Sequence, residues 1–251
     1  MTASYITITA KEWPDLSARA DELVPLCWPE FMRHDPWAGK YWGGLYQHFP
    51  EYQFALTTHE KEEVIAIGNS IPLAWDDDPR ELPDEGWDWA LQRAFADFAA
   101  GHPPDTLSAI QIIVTPKHRG QGLSSRMVRE MKSIAQAQGL RSMIAPVRPS
   151  LKNRYPLIPM ERYIHWRNEN GLPFDPWMRV NAKLGAAIIK TCERSMRIAG
   201  TIAEWEEWTG MSFPESGEYI IPGALAPVTV DCSADRGTYI EPNVWMHHQI
   251  P

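Results

Sequence analysis

VTPKHRGQGLSSRM, residues 114–127, is the stretch on which the fold turns. Just upstream, TLSAIQIIV (106–114) is β-rich and nearly continuous in apolar residues toward its end, which predicts a central strand. The run breaks at Pro116 and passes through Gly120 and Gly122. It then takes helical spacing, with Leu123, Met127, Met131, Ile134 and Ala135 on one stripe and Gly139 at a C′ position. LRSMIAPV (140–147) reads as a further strand. Strand, glycine-rich turn, helix and strand make a β-α-β unit, which favours a mixed or parallel sheet with helices on its faces. The glycines place bare backbone at a helix start, where unpaired N–H groups and the helix dipole suit the oxygens of a phosphate. The spacing is neither a P-loop nor a GxGxxG dinucleotide fingerprint, because Ser125 stands where the third glycine belongs.

Working outward, the other elements follow from periodicity. YITIT (5–9) alternates as a strand; Leu16–Met32 has helical spacing; 38–49 reads as a helix weakened by Gly43 and Gly44; 52–58 and 63–75 read as strands. Trp87, Leu91, Ala94, Phe95 and Phe98 lie on one helical stripe. Beyond Pro146 the chain is proline-rich, with a short helix over 160–168 and a helix start at Asp175-Pro176. SMRIAGTIAEW, APVTVDC and TYIEPNVWM read as strands. With 251 residues, 44% of them hydrophobic, and no internal repeat, one domain with elaborations is the simplest account.

Composition removes several classes. A net charge of -8 argues against a nucleic-acid partner. Seven acids and one base between Asp76 and Asp88 supply -6 of it, either as a solvated loop or as a rim that draws in a cationic amine. No window approaches the roughly 18 apolar residues that a bilayer span needs, and the first residues lack a basic and then apolar leader pattern, so no membrane partner and a cytoplasmic location are expected. Three distant cysteines suggest neither a disulfide framework nor a metal site, and no GxSxG or HExxH motif occurs. The adjacent His247 and His248 would point apart in a strand. No metal is expected.

The stretch resembles the acyl-CoA-binding motif of the GCN5-related N-acetyltransferase (GNAT) superfamily, Arg/Gln-x-x-Gly-x-Gly/Ala at the end of the fourth strand. Here it reads Lys117-x-x-Gly120-x-Gly122, with Arg119 before the first glycine and Lys117 departing from the usual Arg or Gln. The preceding element order is also that of the family, and the resemblance covers about residues 5–147 well. It implies a mixed α/β (α+β) fold: a mostly antiparallel central sheet flanked by helices, with insertions at about 76–105 and 148–174 and a C-terminal extension. It also implies acetyl-CoA or another acyl-CoA as co-substrate. The amides of Gln121, Gly122, Leu123, Ser124 and Ser125 would hold its pyrophosphate, and the main chain of Ile112, Ile113 and Val114 would pair with the pantetheine arm.

Many family members carry a tyrosine, in the helix after the fifth strand, that protonates the departing CoA thiolate. If that helix starts right after APV, Tyr155 falls at the tyrosine position. If 148–174 is an insertion, KLGA ends the helix and Asn181, which cannot act as an acid, takes that position. We take the second alignment. The acid then comes from Tyr155, Tyr163 or His165, each of which has a bland reading as a packing or surface residue. Arg179 is a candidate for carboxylate binding. The fourth strand has no carboxylate to serve as base; Glu204, Glu206, Glu207 and the acidic loop are the replacements.

Three functions are compatible with the sequence. The simplest is N-acetylation of a small amine by direct attack on acetyl-CoA. A second is acyl transfer to a carrier-protein thiol, with or without malonyl-CoA decarboxylation, and a third is non-catalytic acyl-CoA sensing. A monomer or homodimer is expected.

Overall fold

The chain, seen here in a computed structural model that describes residues 5–59, 61, 63–75 and 78–251, begins with β1 (Ile6–Thr9), α1 (Leu16–Leu23) and α2 (Pro36–His48). Next come β2 (Gln53–Thr57), β3 (Val64–Leu73), α3 (Gly86–Ala100), β4 (Thr106–Val114), α4 (Leu123–Ala137) and β5 (Ser142–Val147). The second half contributes α5 (Met160–Tyr163), α6 (Pro176–Lys183), β6 (Ala187–Gly200), α7 (Ile202–Thr209), β7 (Gly217–Tyr219), β8 (Val228–Asp231) and β9 (Arg236–Gln249).

Local chemistry explains most of these boundaries. Two DPW triplets start helices the same way. Asp35 and Asp175 each accept from the next two backbone amides but one, and a proline occupies the first turn, where its missing N–H costs nothing. Gly139 (φ 72°) and Gly185 (φ 92°) close α4 and α6, with Leu140 N bonded to Ala135 O and Ala186 N to Asn181 O.

Three expectations need correction. The helix read across Leu16–Met32 stops at Leu23, because Pro25 and Pro29 break it into 3-10 turns at Val24–Leu26 and Glu30–His34. The helix read over 160–168 is a single turn. The strand read at 195–205 ends at Gly200, and 202–209 is helical. There a capping box is formed in which Thr201 Oγ1 accepts from Glu204 N and the Glu204 carboxylate accepts from Thr201 N.

The nine strands among the described residues lie in one sheet, ordered β1-β2-β3-β4-β5-β9-β8-β7, with β6 also paired to β9. Every pairing is antiparallel except β4–β5. That parallel pair is short: Thr106, Leu107 and Ser108 face Ser142, Met143 and Ile144. Beyond it β4 stays with β3 and β5 stays with β9, so the two strands splay apart. One residue of β4, Ile110, is extra: Asn69 faces Gln111 and Ser70 faces Ala109, a β-bulge next to the apex of the splay.

Alternation along β9 assigns the layers. Trp245 meets Trp89 of α3 edge-on, with centroids 6.0 Å apart, whereas His248 bonds Asn181 of α6, so α3 and α6 cover opposite faces. α2 joins α3 through the stacked Tyr41–Phe95 pair, and α1 packs Leu16 and Ala20 on Ile8, Ala55 and Ile67. α4 meets α6, where Lys132 Nζ donates to Leu184 O. No helix among the described residues is long and apolar enough to cross a membrane.

Candidate functional site

At the head of α4 the chain needs glycine for its backbone angles. Gly120 and Gly122 have φ of 78° and 75°, in the left-handed region, and a Cβ built on either meets nothing within 4 Å. Space around the turn is therefore not the constraint within the chain; conformation is. The result is an open rim of donors. Ser125 N bonds Gly122 O, while the amides of Gln121, Gly122, Leu123 and Ser124 have no acceptor among the described residues, and no side chain caps the helix. Lys117 is paired with Glu63, and Arg119 folds back to donate to Val114 O at 3.3 Å. An open depression of about 440 Å³ adjoins the turn, lined by Arg19, Leu26, Lys61, Thr115 and Lys117; no β5 residue contributes to it, so it lies outside the splay.

From this turn the edge of β4 leads into the splay. Thr115 N donates to Ile65 O, so the antiparallel pattern turns the backbone groups of Ile113 and Gln111 toward β3 and those of Val114, Ile112 and Ile110 toward the gap. Of the three residues named for the pantetheine arm, Ile113 is thus engaged with its neighbour strand. The open groups belong to Ile112 and Val114, whose carbonyl is shared with Arg119. At the apex, Ile110 O accepts from Trp87 Nε1 at 3.0 Å, a buried bond that reaches across from α3. Val114 to Ile110 spans about 13 Å of strand, enough to seat an extended thioester arm.

The α3 side of the splay holds a buried polar network. Glu241 of β9, with no exposed surface, accepts both Arg148 Nε (3.0 and 2.9 Å) and Tyr239 Oη (3.0 Å). Arg148 also donates to Gly223 O and lies 5.6 Å from the Trp28 ring centre. Asn243, in the amide orientation that satisfies both its ends, donates to Glu241 Oε1 and accepts from Ser195 Oγ, which in turn accepts from Trp87 N. Asp35 and Asp88, 1% and 5% exposed, adjoin this network. Burial pushes the carboxyl pKa values of Asp35, Asp88 and Glu241 upward; the Arg148 guanidinium opposes this for Glu241, and the charge of Asp35 adds to it for Asp88.

The residues named from sequence as catalytic fall in different places. Tyr155 is half-buried among Tyr163, Trp166 and Phe174, in the apolar cluster that also holds Ala109 of β4 and Ala145 and Val147 of β5; its hydroxyl has no partner among the described residues. Tyr163 is buried and its hydroxyl donates to Asp175 Oδ2. Burial first, and then the Asp175 charge, push its pKa far up. His165 is exposed. Arg179 spends its guanidinium on the carbonyls of Pro173 and Phe174. Asn181 is engaged at both ends, donating to Trp177 O and facing His248 Nε2 at 3.0 Å; His248 is held down to about 4 by burial, then by Lys132.

Several of the replacement bases are also engaged, while Glu81 and Glu207 are exposed. Glu204 closes the capping box and Glu206 accepts from Phe213 N. In the acidic run, Asp78 pairs with Arg80, and Asp84 and Glu85 pair with Lys190 and Arg194 of β6; Asp76 and Asp77 lie outside the described residues. Sequence reading passed over Asp35, Trp87, Arg148 as an ion-pair partner, and Glu241. Only Asp35 had a local signal, the DPW triplet it shares with Asp175.

Comparison with known proteins agrees with this fold. The profile of the acetyltransferase (GNAT) family matches residues 33–158. Over 98% of its length the chain is 33% identical to the arginine N-acetyltransferase avaD of Aspergillus versicolor, covering 94% of that protein. Among solved structures, the loading GNATL domain of CurA from Lyngbya majuscula superposes with a TM-score of 0.63 at 20% identity, covering 98% of both chains. The GphF GNAT-like decarboxylase in complex with isobutyryl-CoA superposes with a TM-score of 0.54 at 15% identity, covering 98% of this chain and all of the other. At these identities the two superpositions speak to the fold.

Proposed function

The chain belongs to the GNAT acetyltransferase family, an enzyme family that uses acyl-CoA, and from that premise we propose that it transfers the acetyl group of acetyl-CoA to a nitrogen of arginine or a closely similar cationic amine. The observation that carries this reading is the splay: a turn of free amides at one end, an apex at Ile110, and buried carboxyls on the α3 side. CoA lies along β4. Its pyrophosphate takes the amides of Gln121 to Ser124, with Gly120 and Gly122 shaping the turn, and Ile112 and Val114 pair with the pantetheine arm.

The acceptor approaches the apex from the α3 side. Three carboxyls there face one guanidinium, Arg148, and even with one of them held protonated by burial the remaining negative charge favours a cation. A neutral nitrogen attacks the thioester carbon, the tetrahedral oxyanion collapses as the C–S bond breaks, the nitrogen gives up its extra proton to solvent, and the departing thiolate takes up a proton. Tyr155 is the proton donor to the thiolate, because Tyr163, Asn181 and Arg179 are engaged elsewhere and His165 is exposed. Holding both reactants at one apex supplies much of the rate.

The test is release of free CoA by the purified protein, with acetyl-CoA and a panel of arginine, agmatine, lysine and arylalkylamines that carry no guanidinium. Arginine or agmatine should be the preferred acceptor, with an acetylated product identified by mass spectrometry. Turnover of arylalkylamines alone would overturn the acceptor assignment. Carbon dioxide release from malonyl-CoA, with loading of a carrier protein, would replace it by the thiol-acyltransfer reading.

A further inference from the structure

Asp35 and Asp88 leave one buried oxygen each without a donor among the described residues. Asp35 Oδ1 accepts from Trp37 N (2.9 Å) and Ala38 N (2.8 Å) at the start of α2, but its Oδ2 is buried and unmatched. Asp88 Oδ2 accepts from Arg197 N (3.2 Å), but its Oδ1 is likewise buried and unmatched. The two carboxyls lie close enough to shift each other's titration. Two neighbouring carboxyls so deeply buried do not both stay ionised, and one proton between them satisfies both orphaned oxygens.

The charges around the pair come from every element packed against it. Glu241 of β9 faces both acids and is itself matched by Arg148, from the end of β5, and by Tyr239. From β6 only the backbone N–H of Arg197 reaches Asp88, the Arg197 side chain being exposed. No second cation among these groups neutralises a doubly ionised pair.

The next residue along the chain gives the pair its place in the reaction. Trp87 precedes Asp88; its backbone N–H donates to Ser195 Oγ at 2.9 Å, and its indole donates to Ile110 O at the bulge. Trp42 stacks on the indole at 6.4 Å. The first turn of α3 has little room to adjust, because Gly86 sits so close to β6 that a Cβ there would fall 2.3 Å from Ser195 Oγ and 2.9 Å from Cys192 Sγ. Asp35 is tethered by its cap to α2. If the shared proton leaves, repulsion falls on the turn that carries Trp87.

We propose that Asp35 and Asp88 share a single proton, and that this proton makes them positioning residues, holding Trp87 against the Ile110 carbonyl at the apex of the splay. The proposal rests on the acetyltransferase reading for its site, but not on which amine is the acceptor. Burial, reinforced by the Asp35 charge, raises the Asp88 carboxyl to about 9, so the proton is present at neutral pH and is lost as pH rises through that region.

Asparagine at position 88 offers Asp35 a permanent N–H in place of the proton. Asp88→Ala is expected to lower kcat about tenfold or more, with KM for acetyl-CoA little changed, and Asp88→Asn to restore most of it. The wild type should lose kcat/KM above about pH 9, whereas in Asp88→Asn that loss should move to higher pH.

A second arm needs no substrate, and so separates failure here from failure of the acceptor assignment. A folded chain that keeps a proton which its unfolded state has shed above the ordinary carboxylate range loses stability as pH rises between those two values. The Tm of Asp88→Asn minus that of the wild type should therefore climb steadily from about pH 5 to about pH 9. A flat Tm difference, or an alkaline limb unchanged in Asp88→Asn, would overturn the proposal. If Asp88→Asn does not fold, Asp35→Asn tests the same bond from the other side, since its amide can still cap α2 through Oδ1. Failure of both to fold would also overturn it, because either amide supplies the bond in question.

Discussion

The two sides of the splay are built from different materials. On the α4 side the chain offers backbone: free amides at a glycine turn and alternate peptide groups along the edge of β4, all within residues 110–125. On the α3 side it offers side chains drawn from the whole length of the protein, Asp35, Trp87, Asp88, Arg148, Ser195, Glu241 and Asn243. A backbone site tolerates side-chain change so long as the angles hold. The side-chain site has no such slack, because its buried polar atoms depend on particular partners brought from distant parts of the chain.

The largest test of that difference is Arg148→Ala. It strands Glu241 in a dry network and should cost about 3–5 kcal/mol of stability, read as a lower urea midpoint, while CoA affinity of the folded fraction is unchanged. A smaller effect is expected from Tyr155→Phe, which should reduce kcat about 100-fold with KM for acetyl-CoA retained; an unchanged kcat would remove Tyr155 as the acid. On the backbone side, Gly122→Ala forces a side chain into the left-handed region at about 1–2 kcal/mol. If that strain falls on the bound turn, KM for acetyl-CoA rises by about tenfold, and calorimetric titration with CoA would show the same loss. The smallest is His165→Ala, an exposed change that should stay within about 0.5 kcal/mol in both stability and kcat/KM; a marked loss would return His165 to the reacting centre.

Legibility from sequence followed the same divide. The β4–α4–β5 unit could be read because its signals are consecutive: an apolar run, a proline, two glycines, a helical stripe. The capping box at Thr201–Glu204 was also legible, yet the apolar residues at 195–205 read as strand, since a short hydrophobic run does not distinguish the two by itself. Arg179 had the right chemistry for binding a carboxylate, but its own loop carbonyls at Pro173 and Phe174 claim it. Glu241 had no local mark at all. Inside TYIEPNVWM it looks like an ordinary polar position, and only the fold brings Arg148 and Tyr239 to it.

What the sequence determined alone was the turn: residues 114–127 specify free amides at a helix start, because backbone angles and helix ends are local properties. Tertiary structure decided the rest. It set which tyrosine remains unpaired beside the splay, which carboxyls are buried together, and which indole holds the bulge. The physical reason is that desolvation and hydrogen-bond matching depend on neighbours in space, and here those neighbours are up to about 200 residues apart, at separations where chain spacing carries no information about contact.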